Sequence, residues 1–302
     1  MTNLMNKVKL QFSIKDLENL SGIKAHTIRI WEKRYQIFTP NRTETNIRFY
    51  SIDELLKLLN ISFLNSYGYK ISRVATYSDA ELIKLVKQVY SEKTNAIFSI
   101  NILKIAMFNF DAVLFNETHL ELAKTKSFSD IFLHVYIPFL HEIGMLWQTA
   151  AIKPIHEHFI SYLIFQKLIE NISLIQNEKQ LIDNEKVFVL FLPDNEVHEI
   201  SLMFINYQLI AKGYKTIYLG SSVPFIDLLE LNKFYENVHY VSYFTVMPYT
   251  DELDSYFENF ENKILRSNSS KLYVSGNQVK NYKITVPSIF SFDSIENLIE
   301  SI

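Results

Sequence analysis

Apolar residues at Ile14, Leu17 and Leu20 fall at helical spacing directly after Ser13, which predicts a short helix with a serine cap. Ser21-Gly22-Ile23 then reads as a tight turn, with glycine where a positive φ is needed. A second helix over 24–35 buries Ile28 and Trp31 on one side and leaves its polar residues on the other. Residues 39–50 place strand-forming side chains around a polar turn, which predicts a short hairpin. From about 78 to 175 the apolar positions keep helical spacing, as at Leu82, Leu85, Val86 and Val89, and predict four or five helices.

The texture changes at residue 186. Lys186 to Leu192 is a nearly unbroken apolar run, as expected of a strand buried on both faces. Beyond it a helix (198–212), a strand (216–219), a helix (225–236), a strand (240–246), a helix (250–265), a strand (271–274) and a last helix near 292–301 alternate. Alternation of this kind implies a doubly wound parallel sheet. The expected architecture is therefore multidomain, α followed by α/β. A winged helix-turn-helix occupies 1–75, a central four-helix bundle 76–180, and a flavodoxin- or Rossmann-like domain 181–302, with the polar stretch 177–185 as a boundary.

Composition narrows the function. The 302 residues include no cysteine, which removes disulfides and thiolate metal sites. No run of 18 apolar residues occurs, so a soluble cytoplasmic protein without a membrane partner is expected. Net charge is −3, but it is unevenly spread: residues 1–75 hold 12 Lys and Arg against 6 Asp and Glu, and the remainder 18 against 27. Five of the six arginines (Arg29, Arg34, Arg42, Arg48 and Arg73) lie in those first 75 residues. An arginine-bearing head on an acidic body suits phosphate contact. In a helix-turn-helix the second helix enters the major groove, and here it projects Lys24, His26, Thr27, Arg29 and Lys33. Arg42 and Arg48 would lie on the wing, against the backbone.

In the body, His134, His141, His156 and His158 raise the question of a metal. His156 and His158 lie two apart and cannot share a helix face, and their spacing fits no common zinc motif. In an open α/β sheet, ligands bind at the carboxyl ends of the strands. The loop after the first strand, 192–201, puts His198 there. Neither GxGxxG nor GxxxxGK is present, so nucleotide fingerprints are absent.

The segment Thr27-Ile-Arg-Ile-Trp-Glu-Lys-Arg-Tyr35, with Pro40, Arg42, Asn46, Ile47, Arg48, Phe49 and Tyr50, resembles the recognition helix and wing of the MerR family. That resemblance covers 11 to about 75. It implies a homo-oligomer reading an inverted-repeat operator in double-stranded DNA, and adds Arg34, Asn46 and Tyr50 to the DNA-binding set. The rest of the chain resembles the cobalamin-binding module of light-responsive carotenoid-gene repressors, a helical segment followed by a Rossmann-like domain. Glu196-Val-His-Glu-Ile-Ser201 matches that module's D/E-x-H-x-x-G loop, which implies His198 as the lower ligand to cobalt. Trp147 stands ten residues before Glu157-His158, and the resemblance implies that these cover the upper face of the corrin and an adenosyl group. Ser242 and Thr245 match the module's serine-containing strand end, and Ser275-Gly276 stands at its Gly-Gly.

The departures are specific. Ser201 and Ser275 replace glycines that give the nucleotide tail of cobalamin room between strands and helices, and Gln148 stands where light-sensing members carry histidine. Two sensor readings stay open: one that responds to cobalamin, adenosylcobalamin above all and with or without light, and one that serves oligomerisation or another input. A corrinoid enzyme would need a separate catalytic domain, often a barrel of about 250 residues. No stretch of the chain is left for one, so a regulator rather than an enzyme is expected.

Overall fold

Ser13 closes a capping box: its hydroxyl accepts from the Asp16 N–H (3.1 Å) and its own N–H donates to Asp16 Oδ2 (2.7 Å). From it runs α1 (Ile14–Ser21), ended by Gly22 at φ 72°, a conformation that favours glycine. The computed structural model describes residues 11–92, 96–148, 152–178, 183–235, 237–265 and 270–302. After Gly22 come α2 (Ala25–Tyr35) and a hairpin of β1 (Asn41–Arg42) with β2 (Arg48–Phe49), the expected wing. A second capping box, Ser51 with Glu54, starts α3 (Ile52–Ser66), and α4 (Ile71–Val74) follows. Leu17, Leu20, Ile28, Tyr50, Leu55 and Leu58 are buried together with Trp31 in the core of this head.

The helical segment comprises α5 (Asp79–Glu92), α6 (Ala96–Asn109), α7 (Ala112–Ala123) and α8 (Phe128–Ile131). A π-helical turn, Phe132–Tyr136, joins α8 to α9 (Ile137–Gln148), and α10 spans Pro154–Glu178. Phe115, Phe132, Tyr136 and Phe139 are fully buried, and Tyr136 bonds His119 Nδ1 at 2.8 Å. The chain divides into two compact units, one ending at Leu163 and one beginning at Ile164. The head and α5–α9 belong to the first, where Phe12 meets Phe108 edge-on with centroids 6.0 Å apart.

The second unit is built on a parallel sheet in the order β4-β3-β5-β6-β7: β3 (Asp183–Phe191), β4 (Tyr214–Gly220), β5 (Val238–Tyr243), β6 (Lys271–Ser275) and β7 (Ile289–Phe292). The order reverses between β3 and β5, so the connections that follow these two strands run in opposite directions and open a crevice at their carboxyl ends. α11 (Ile200–Ala211) and α13 (Ile295–Ser301) pack against each other, and α11 also packs on β3, β4 and β5. An apolar cluster including Val187, Val189, Tyr240, Phe257, Phe260, Leu272 and Val274 fills the sheet's other side, where α12 (Leu253–Phe260) lies.

Two expectations change here. The helix expected over 225–236 is a 3₁₀ helix, Phe225–Lys233. The expected set of strands ends at β6, whereas β7 extends the sheet by one more, paired only with β6 at the edge. Four residues with one partner strand give too short an alternation to stand out in sequence. Among the described residues no helix is long and apolar enough to cross a membrane.

Candidate functional site

On the head, α1 and α2 are linked by Glu18, which accepts from the Ala25 N–H (3.4 Å) and from Lys24 Nζ (3.3 Å). The Lys24 bond holds the Glu18 carboxyl below its usual pKa. With Ile28 and Trp31 buried, α2 turns Lys24, His26, Arg29, Lys33 and Arg34 into solvent, and Thr27 is half-buried beside them. The wing exposes Arg42 and Asn46, with Asn46 at φ 63° in the turn and its Oδ1 accepting from Arg42 Nη1 at 2.6 Å.

The wing is fastened to α2 by a residue that the sequence reading passed over. Glu32 accepts from Arg48 Nε (3.1 Å) and from the Tyr50 hydroxyl (2.9 Å). Tyr50 is fully buried, and burial together with the Glu32 carboxylate pushes its pKa up. Its place is thus in the joint between wing and helix, where the sequence reading set it against DNA. A lone acidic residue within a basic recognition helix was the available signal for such a joint.

In the second unit, Glu196 sits at the switch between β3 and β5. It is fully buried, and its two oxygens are divided between two loops. Oε1 accepts from the Val197 N–H (2.9 Å), the His198 N–H (3.0 Å) and the His198 ring Nδ1 (2.5 Å). Oε2 accepts from the consecutive N–H groups of Thr245 (3.1 Å), Val246 (2.7 Å) and Met247 (2.9 Å) in the loop after β5. Burial raises the pKa of such a carboxyl, but His198 and the ring of backbone N–H groups outweigh it and hold Glu196 at about 2. One ionised carboxylate therefore fixes both the His198 loop and the β5 loop. The His198 side chain is half exposed. A histidine whose Nδ1 rests on a carboxylate is held in orientation by it, an arrangement also used where histidines ligate metals.

The remaining predicted residues are placed differently. Ser242 is buried and donates its hydroxyl to the Phe191 carbonyl (2.7 Å), while Ser275 donates to the Phe292 carbonyl (2.9 Å). Both serines therefore join neighbouring strands. Thr245 contributes its N–H to Glu196. Gly276, at φ 116°, passes so close to Phe244 that a Cβ there would lie 2.4 Å from the Phe244 carbonyl oxygen. Ser201, in the first turn of α11, is half-buried. In the first unit, Glu157 and His158 stand at the start of α10, 3.6 Å apart, with His158 exposed. His156 is buried and stacks on Phe110 with centroids 5.0 Å apart. The side chains of Trp147 and Gln148 lie outside the described residues. Among the described residues no group of three or more His, Asp or Glu is arranged to hold a metal ion directly.

Residues 12–81 match the family model described as MerR HTH family regulatory protein. The chain is 25% identical over 227 residues to the HTH-type transcriptional repressor CarH of Myxococcus xanthus, covering 72% of this chain and 73% of CarH. It is 24% identical over 213 residues to the repressor CarA of the same organism, covering 70% and 68%. Among solved structures, the monomethylamine corrinoid protein of Methanosarcina barkeri superposes with a TM-score of 0.51 at 15% identity, over 66% of this chain and 94% of that one. That last likeness is one of fold. The head is a MerR-type helix-turn-helix.

Proposed function

We propose that this chain is a transcription regulator that binds an operator as a homo-oligomer through its head and takes a corrinoid at His198 of its second unit. The domain plan that goes with this is a DNA-binding head (1–75), a helical module (76–180) and a Rossmann-like sensor (181–302). The protein acts in the cytoplasm, as a regulator and not an enzyme. The observation that carries the sensor half is the Glu196–His198 pair at the sheet's switch point, with a half-exposed imidazole held through Nδ1. An imidazole backed by a carboxylate would suit the cobalt of a corrinoid as a ligand. When bound, the corrinoid would supply a cobalt able to exchange ligands, with His198 holding it; adenosylcobalamin is the form the resemblance implies.

The chain's own residues would do the rest. Glu196 holds the imidazole tautomer and ties its loop to Thr245–Met247, so a pull on His198 is passed directly to the loop after β5. A ligand bound there shifts operator affinity only as far as it favours one arrangement of the chain over another. Arg29, Lys33, Arg34 and Arg42 are exposed on the head and supply the phosphate and base contacts.

The test is to incubate the purified full chain with hydroxocobalamin, adenosylcobalamin or cobinamide and pass it over a gel-filtration column. Corrin absorbance that travels with the protein, and that His198→Ala removes, supports the reading. Colourless protein after all three contradicts the corrinoid half and leaves the DNA half standing.

A further inference from the structure

His156 is buried at the start of α10, and its Nδ1 is used by the backbone rather than by a ligand. Nδ1 accepts from the Lys153 N–H at 3.3 Å, while the His156 N–H donates to the Lys153 carbonyl at 3.0 Å. The two bonds lock the imidazole to the entry of the helix, and burial lowers its pKa, so the ring is uncharged at neutral pH. Fixed in this way, it stacks on Phe110 (centroids 5.0 Å apart, planes at 20°) and leans on Phe108 (5.5 Å). Phe110 stands just past the end of α6 at φ 52°, a left-handed conformation that an aromatic residue rarely adopts. Backbone strain of that kind persists only where the surroundings hold it, and here it accompanies a ring laid on His156.

Phe108 also meets the head. Its ring and that of Phe12 stand at 88° with centroids 6.0 Å apart, and Phe12, Phe108 and His156 are all buried. Phe12 precedes α1 as a single antiparallel bridge to Tyr50, its N–H and its carbonyl both bonded there at 2.8 Å. Tyr50 ends the wing directly after β2, and its hydroxyl donates to Glu32 on α2 at 2.9 Å. From His156 to Glu32 each step is thus a ring contact or a hydrogen bond, and every member lies in the first unit. The wing needs such support. Its strands hold two residues each, and a hairpin that short is marginal by itself. The base of the wing is held by Phe12, and Phe12 rests on Phe108 backed by His156.

Resting on the DNA reading of the head, we propose that Phe108 and His156 form a seat for Phe12 through which the helical module holds the wing in its DNA-reading position. His156 is a positioning residue: it acts on DNA only through Phe108, Phe12 and Tyr50. Without the seat, the bridge of Phe12 is unsupported and the hairpin hangs on the two side-chain bonds to Glu32. It then pivots, and Arg42 on β1 loses its fixed place against a phosphate. A displacement of the start of α10 reaches the wing by the same route.

The experiment is fluorescence anisotropy of the full chain over a salt series, on a labelled duplex selected by the wild type from a random-sequence pool. It compares wild type, His156→Ala and His156→Phe, each with and without Arg42→Ala. His156→Ala is expected to weaken binding on the order of tenfold, within the range of coupling between packed residues. In the wild type, Arg42→Ala lowers the slope of log affinity against log salt by about 1. In His156→Ala that contact is already lost, and Arg42→Ala removes nothing more, whereas independent distant sites would add. His156→Phe keeps a stacked ring and restores both affinity and slope. Should His156→Ala not fold, Phe108→Leu keeps the bulk, removes the ring against Phe12 and carries the same expectation. An Arg42→Ala effect of equal size in wild type and His156→Ala overturns the proposal, since the wing is then held without the seat. Binding by His156→Phe as weak as by His156→Ala overturns it as well. Arg42→Ala without effect in the wild type contradicts the DNA reading of the wing, and the proposal falls with it.

Discussion

The head and the His198 crevice are both organised by a single carboxylate, but they spend their polar groups in opposite ways. On the head, Glu32 ties down Arg48 and Tyr50 at the edge, and Lys24, His26, Arg29, Lys33, Arg34 and Arg42 remain turned to solvent. In the crevice, Glu196 is fully buried and gathers its neighbours inward, and Ser242, Ser275 and Thr245 are each engaged with protein. A surface that reads DNA needs charges presented to an outside partner. A crevice for a bulky ligand needs space, and space is decided by which side chains stay out of it.

The largest effect that separates the two regions is expected at Glu196. Glu196→Ala strands five backbone N–H groups and the His198 ring, and should destabilise the second unit by roughly 3–5 kcal/mol in a urea melt. Glu196→Gln, which keeps the shape, should cost less. A melt unchanged by the alanine would mean that the clasp is not what holds the two loops. Acid should expose the same difference. Because the folded pKa of about 2 lies below the usual 4.5, the ionised carboxylate stabilises the fold above pH 4.5. That stabilisation, on the order of 3 kcal/mol, is lost as pH falls from about 4.5 toward 2. A pH series of melts on Glu196→Gln should lack this component.

Smaller effects are expected on the head, and on binding more than on folding. Arg29→Ala should weaken operator affinity by about 1–3 kcal/mol. Arg42→Ala should lower the salt slope of binding by about 1. Fluorescence anisotropy on labelled operator over a salt series reads both, and unchanged curves would put DNA on another face. Smallest is Tyr50→Phe, which removes one bond to a charged acceptor and should cost about 1.5 kcal/mol. If Tyr50 instead touched DNA, the loss would appear in the operator titration while the melt stayed put.

What could be read from sequence follows the same division. Residues 27–35 alternate buried and exposed at helical spacing, so the pattern itself says that Ile28 and Trp31 go in and that Arg29 and Lys33 go out. The strand run 186–192 is apolar on both faces, and β3 indeed lies inside the sheet, paired with β4 on one side and β5 on the other. Tyr50 was misplaced because a tyrosine at a wing's end serves equally as a DNA contact or as a core ring, and only the partner Glu32, 18 residues away, decides. Glu196 was visible as a member of a motif. Its hold on Thr245–Met247, some 50 residues on, depends on β3 and β5 being neighbours, which no local pattern records.

The proposed function joins an operator reader and a corrinoid site at His198 in one chain. It is tested most directly by gel retardation of operator DNA with wild type and His198→Ala, each with and without cobinamide and adenosylcobalamin, in darkness and after illumination. The predicted result is that corrinoid changes the retardation by wild type and leaves His198→Ala, which still binds operator, unaffected. Identical retardation in every lane would contradict it.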